Sequence, residues 1–139
     1  ILIVLLMKLN RMIFFKRINN MKSVRLEIVN IIGNTICADV DDAEKVYQSI
    51  KKTIEENKKV VLSFKNVEII TSAFLNQAIG QLLKDYTRDE LKEMIIFENI
   101  KKEDSLLLRR VIDSAELYYK HPDAFKKSIK EILDEDDED

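Results

Sequence analysis

The chain has 139 residues, 46% hydrophobic and 35% charged, with a formal net charge of −2, a balance that fits one globular domain and excludes a disordered or fibrous chain. The small total hides segregation: Asp134 to Asp139 are all acidic, residues 1–20 hold Lys8, Arg11, Lys16 and Arg17 with no acid, and the remainder carries equal numbers of both signs. No basic excess is left to attract a phosphate backbone, so nucleic acid is not an expected partner.

The leading segment, ILIVLLMKLNRMIFFKRINN, does not open on Met and lacks turn punctuation. Its apolar start, Ile1 to Met7, falls short of the about 20 apolar residues that span a bilayer. Its cations follow the apolar run, the reverse of a secretory signal. Residues 1–20 are therefore expected to be a non-native or disordered leader outside the fold, with Met21 as the biological start and no membrane association. The alternative is a short basic-amphipathic anchor.

From Met21 onward, Val24, Leu26 and Ile28 alternate with Arg25, Glu27 and Val29, the period-two pattern of a half-buried strand. Gly33-Asn34 then suits a tight hairpin turn, and Ile36, Ala38 and Val40 continue the alternation on a second strand. Asp41 and Asp42 supply an N-cap and first-turn acids for a helix carrying Ala43, Val46, Tyr47, Ile50 and Ile54 on one face. Val60 to Phe64 is a β-branched run typical of a central strand. After the connector KNVEII, Thr71 or Ser72 caps a helix with the apolar stripe Phe74, Leu75, Ala78, Ile79, Leu82, Leu83 and Tyr86.

Met94 to Phe97 reads as another strand. Leu107, Leu108, Val111, Ile112, Ala115, Tyr118 and Tyr119 mark the next helix. Pro122 suits the first turn of a last helix, with Phe125, Ile129, Ile132 and Leu133 as its stripe. Residues 21–133 thus form the expected domain, and 134–139 a disordered acidic tail. The fold class is α/β: a mixed β-sheet, made of an N-terminal hairpin and two βαβ crossovers, with helices packed on it.

This order of elements, together with VVLSFKNVEIITSAFLNQAIGQLL (Val60 to Leu83), resembles the STAS superfamily. It is most similar to the bacterial STAS-like domain family of unknown function. Phe64, Val67, Ser72, Phe74, Asn76 and Gly80 fall at the places of that family's pattern, and MIIFENI, Met94 to Ile100, is similar to its next strand. Two positions depart. Ser63 stands where the family usually has Asp, and the junction Ile70-Thr71-Ser72-Ala73 lacks the Asp and Gly that flank the switch serine of the anti-sigma-factor antagonists.

The resemblance implies a cytoplasmic regulatory module that binds a protein partner, such as a histidine-kinase-like ATPase or related regulator, by partner switching. Thr71 and Ser72 are then the candidate phosphorylation or switch residues. Lys65, Asn66, Glu68, Asn76 and Gln77 are the candidate interaction surface. Each also has a plainer reading: a Ser or Thr there caps a helix with no partner involved, and Asn76 and Gln77 suit an ordinary helix surface.

Two other functions stay open. One is small-ligand or nucleotide sensing at the same junction, against which Lys65 is the loop's only cation. The other is homodimer formation through the hairpin edge. A lone Cys37, read as a small buried hydrophobe in a reducing compartment, and a lone His121 in a connector cannot build a structural zinc site or a nucleophile–base pair. Gly33 and Gly80, the two glycines, cannot form a phosphate loop. No cofactor, no metal and no enzymatic activity are expected.

Overall fold

The computed structural model describes residues 1–137, the side chains of 14, 15, 17–19, 124, 125 and 134–137 apart. In chain order the elements are α1 (Leu2–Asn19), β1 (Ser23–Glu27), α2 (Ile28–Ile32), β2 (Ile36–Cys37), α3 (Val40–Glu55), β3 (Lys59–Ser63) and β4 (Ile69–Ile70). They continue with α4 (Ser72–Ala78), a 3₁₀ turn (Gly80–Lys84), α5 (Arg88–Met94), β5 (Ile95–Glu98), α6 (Lys102–Lys120) and α7 (Pro122–Asp137).

The main sheet is parallel in the order β1-β3-β5, and β2 pairs with β4 in a separate short parallel ladder. Because β3 is central, its Val60 and Leu62 are fully buried. The register aligns Val24, Val60 and Ile95, then Leu26, Leu62 and Phe97, on one face. Arg25, Val61 and Ile96, followed by Glu27, Ser63 and Glu98, occupy the other. Helix α3 buries Ala43, Val46, Ile50 and Ile54 and packs on α4, which with the 3₁₀ turn packs in turn on α6.

The α/β class stands, but the expected hairpin is replaced by a helix, and both sheets of the described residues are parallel rather than mixed. The reason lies in Ile28, Ile31 and Ile32. As helical positions i, i+3 and i+4 they share one side, which buries Ile28 completely and the other two in part. Gly33 then takes φ 69° and closes this helix, its N–H donating to the Val29 carbonyl at 2.7 Å, the left-handed C-terminal use of glycine. Chain reversal by a two-residue turn is thereby lost, and β2 pairs with β4.

Other boundaries move for equally local reasons. The cap of α3 is Asp39, whose carboxylate accepts from the N–H groups of Asp41 and Asp42 at 2.7 and 3.1 Å. The two acids expected to cap the helix are its first-turn residues instead.

The stripe from Phe74 to Tyr86 is interrupted at Ile79 (φ −122°, ψ −44°), beyond which the chain tightens to 3₁₀ geometry while Leu82 and Leu83 stay buried. Gly80 permits the close approach there: a Cβ on it would lie 2.6 Å from Asn76 Oδ1 and 3.4 Å from Ala115 Cβ.

Helix α5, unforeseen in RDELKEM, is fixed by a capping box. The Thr87 hydroxyl accepts from Glu90 N–H, and the Glu90 carboxylate accepts from Thr87 N–H.

Residues 1–20, expected outside the fold, include the helix α1, and its Arg11 pairs with Asp89 of α5 at 2.9 Å. Among the described residues no helix is long and apolar enough to cross a membrane. Asp134 to Asp137, expected to be disordered, continue α7, and residues 138 and 139 lie outside the described residues.

Candidate docking groove and strand-end cluster

The junction between β3 and α4 is held at both ends. Phe64 N–H donates to the Glu98 carbonyl at 2.9 Å, and Val67 N–H closes a turn on the Phe64 carbonyl at 3.1 Å. Asn66 sits in that turn at φ 65°, a backbone state that Asn tolerates better than most residues. Lys65, Asn66 and Glu68 are exposed along it. Glu68 is not idle: its carboxylate accepts from Thr35 Oγ1 at 2.7 Å, and its carbonyl accepts from Lys101 Nζ at 3.4 Å. Beside it, the in-register pair Ile36 and Ile69 is 46% and 55% exposed, an apolar cross-strand pair facing water.

The two hydroxyls at the start of α4 have separate roles. Thr71 is the cap, its Oγ1 accepting from Phe74 N–H at 3.1 Å. Ser72 is the first helical residue, exposed, and its hydroxyl makes no hydrogen bond among the described residues.

Ser72 lies on a groove of about 750 Å³ between α4 and α6, with Ala73 and Asn76 on its own wall. Arg110, Ser114 and Tyr118 form the polar side of the opposite wall over Leu107 and Val111. Tyr118 and Tyr119 meet edge to face, ring centroids 4.9 Å apart. Burial first, then Tyr118 and Tyr47, push the Tyr119 phenol above its ordinary range.

The candidate surface therefore divides. Asn76 reaches the groove, whereas Lys65, Asn66 and Glu68 stay on the strand-end loop. Gln77 turns into the fold: its amide donates to Glu44 Oε2 of α3 at 2.6 Å, where Gln81 also donates at 3.2 Å. Gln48 donates to the other oxygen of Glu44 at 2.9 Å. These bonds, that of Gln48 foremost, hold the Glu44 carboxyl below its ordinary value of 4.5 against the opposing effect of its burial.

A second cluster escaped the sequence reading. Ser63 is fully buried at the end of the central strand, and its Oγ accepts from Asn99 Nδ2 at 3.0 Å, Lys65 N–H at 3.2 Å and Arg25 at 3.3 Å. Arg25 also pairs with Glu98. The residue that departs from the family's Asp is thus the acceptor at which three donors from neighbouring segments meet. The available signal was the departure itself, a small polar residue closing an apolar strand.

Cys37 is fully buried, its thiol pushed up from 9.0 to about 11 by desolvation, then by Asp42 and Asp104. His121 caps the end of α6. Among the described residues no three His, Cys, Asp or Glu side chains gather where they could hold a metal ion.

These features define a small α/β domain with a polar cluster where the central strand ends and an exposed hydroxyl in the groove between α4 and α6. Residues 42–105 match the family model described as a STAS-like domain of unknown function, the family that Val60 to Ile100 resembles. The matched segment contains the junction, the start of α4 and β5. No curated protein and no solved structure matches the chain.

Proposed function

We propose that this chain is a non-catalytic regulatory module that docks a protein partner in the groove between α4 and α6. The carrying observation is an exposed Ser72 hydroxyl without a hydrogen-bond partner among the described residues, set in the same groove as Arg110. Capping is already done by Thr71, so Ser72 is available for contact or modification without loss of the helix start. A phosphate on it would add about −1.5 to −2 of charge beside a cation able to receive it, changing what the groove attracts. The STAS-like match supports a regulatory role, and the sequence resemblance favours an ATPase or kinase-type regulator as partner. A lone His that ends a helix and a buried, proton-holding Cys support the non-catalytic reading.

Capture from native cells with the wild-type chain, Ser72→Ala, Ser72→Asp and Arg110→Glu tests the reading. Wild type and Ser72→Ala should retain a common partner that Ser72→Asp and Arg110→Glu lose. Identical partner sets on all four would remove the groove from the function.

A further inference from the structure

Helix α6 has a second cavity on its other side. A slot of about 210 Å³ opens between α5, β5 and α6. Its floor is made of the buried side chains of Ile79, Leu91, Ile95 and Leu108, and Phe97 and Ile112 stand half-buried at its walls. Water in such a space finds few polar partners, so an apolar group is the favoured occupant.

The rim has the opposite character. Arg88, Lys92 and Arg109 surround the mouth, with the Ser105 hydroxyl between the apolar walls. Arg88 is neutralised by Asp113. Lys92 and Arg109 are exposed and make no hydrogen bond or ion pair among the described residues. The slot therefore carries two cations beyond what its own acids balance, over a dry floor. Its volume is below the roughly 300–1,000 Å³ of drug-sized sites, which limits the ligand to a short chain or a single ring.

We propose that this slot binds a small amphipathic carboxylate, with its apolar body on Leu91 and Leu108 and its head group at Arg109 and Lys92. The planar fork of Arg109 matches a carboxylate in two-point geometry, and Lys92 adds a point charge. Nothing in the docking groove is needed for this site, so the two readings stand or fall separately.

The test is titration of the intact chain with hexanoate, butanoate, hexan-1-ol and hexylamine, followed by amide chemical shifts. Hexanoate should bind saturably at millimolar concentration, with shifts centred on α5, β5 and the Ser105 side of α6. It should bind about tenfold tighter than butanoate, because two more methylenes are buried. Hexan-1-ol should bind more weakly, and hexylamine should not bind.

Lys92→Glu/Arg109→Glu changes two exposed side chains, so it leaves the core intact. It should cost hexanoate at least tenfold in affinity and hexan-1-ol almost nothing. Equal binding of hexanoate and hexylamine, an unaffected charge variant, or shifts centred outside the slot would each overturn the proposal.

Discussion

Ser63→Ala tests whether the strand-end cluster holds the junction in place. The hydroxyl is fully buried and accepts from three donors. Arg25 is exposed and keeps Glu98, so its share is recovered by water and its ion pair. The Lys65 N–H and the Asn99 amide have no second partner of that kind among the described residues, and their bonds to Ser63 are part-buried. Two net hydrogen bonds at about 0.5–1.5 kcal/mol each, discounted for partial access to water, give an expected loss of about 1–2 kcal/mol.

For a chain of this size that corresponds to a fall of about 3–7 °C in melting temperature. Urea unfolding followed by circular dichroism should show the midpoint moving with an unchanged slope. Asn99 stands at φ 56°, so Asn99→Gly removes the amide without backbone strain. Combined with Ser63→Ala it should cost less than the sum of the two, because both variants remove one shared bond. A single-variant loss under about 0.5 kcal/mol, the scale of an ordinary surface change, would refute the reasoning, as would strict additivity.

Three further outcomes are expected. Thr71→Ala should lose about 0.5–2 kcal/mol in urea unfolding as the α4 cap disappears, whereas Ser72→Ala should stay within about 0.5 kcal/mol of wild type; the reverse order would move the cap to Ser72. The Glu44 carboxyl is depressed in the folded chain, so its contribution is present above the ordinary carboxyl range and lost as pH falls through the folded value. Glu44→Gln should therefore flatten the acid limb of stability against pH, read from urea midpoints between about pH 5 and 3. The Cys37 thiol is raised from 9.0 to about 11, so its contribution is complete below pH 9.0 and declines as pH climbs towards 11. A thiol reagent at neutral pH should label the chain only in urea, and labelling at full rate in the native state would place Cys37 at the surface.

What the sequence revealed and what it hid follow from the range of the forces involved. Strand β3 was legible because Val60 and Leu62 are fully buried at the centre of the sheet, and Val60 to Leu62 reads as one apolar run. Helix α3 was legible because its buried positions recur at helical spacing opposite lysines and glutamates. The hairpin was a wrong inference, since Val24, Leu26 and Ile28 alternate equally well whether Ile28 ends a strand or opens a helix. Only the burial of Ile28 together with Ile31 and Ile32 decides between them. Gly33 is needed at positive φ in either case. Helix α5 was hidden because the seven residues of RDELKEM bury only Leu91 and Met94, too few for a periodic signal. At the site, Ser72 and Asn76 were named from the resemblance. The inward turn of Gln77 was not legible, because it depends on Glu44 lying 33 positions away in the chain.

The two cavities share one wall, and that carries a last prediction. Leu107, Arg110, Val111 and Ser114 line the groove, and Ser105, Leu108, Arg109 and Ile112 line the slot. Both sets follow the spacing i, i+3, i+4 and i+7, displaced by two residues, which is about 200° around a helix. Helix α6 therefore shows one face to each cavity, so a shift of the helix is shared by both. A molecule seated in the slot contacts Leu108 and Ile112, and any shift of the helix that it causes would carry Arg110 and Tyr118 with it. The chain contains no tryptophan, so Tyr118→Trp, at a position 52% exposed, places a single tryptophan in the groove, excited apart from the tyrosines. Hexanoate should change its emission with the midpoint seen in the slot amides. Binding linkage then requires a groove partner to alter hexanoate affinity by the same factor that hexanoate alters the partner's. An emission unmoved while the slot amides saturate would show that α6 separates the two sites instead of joining them.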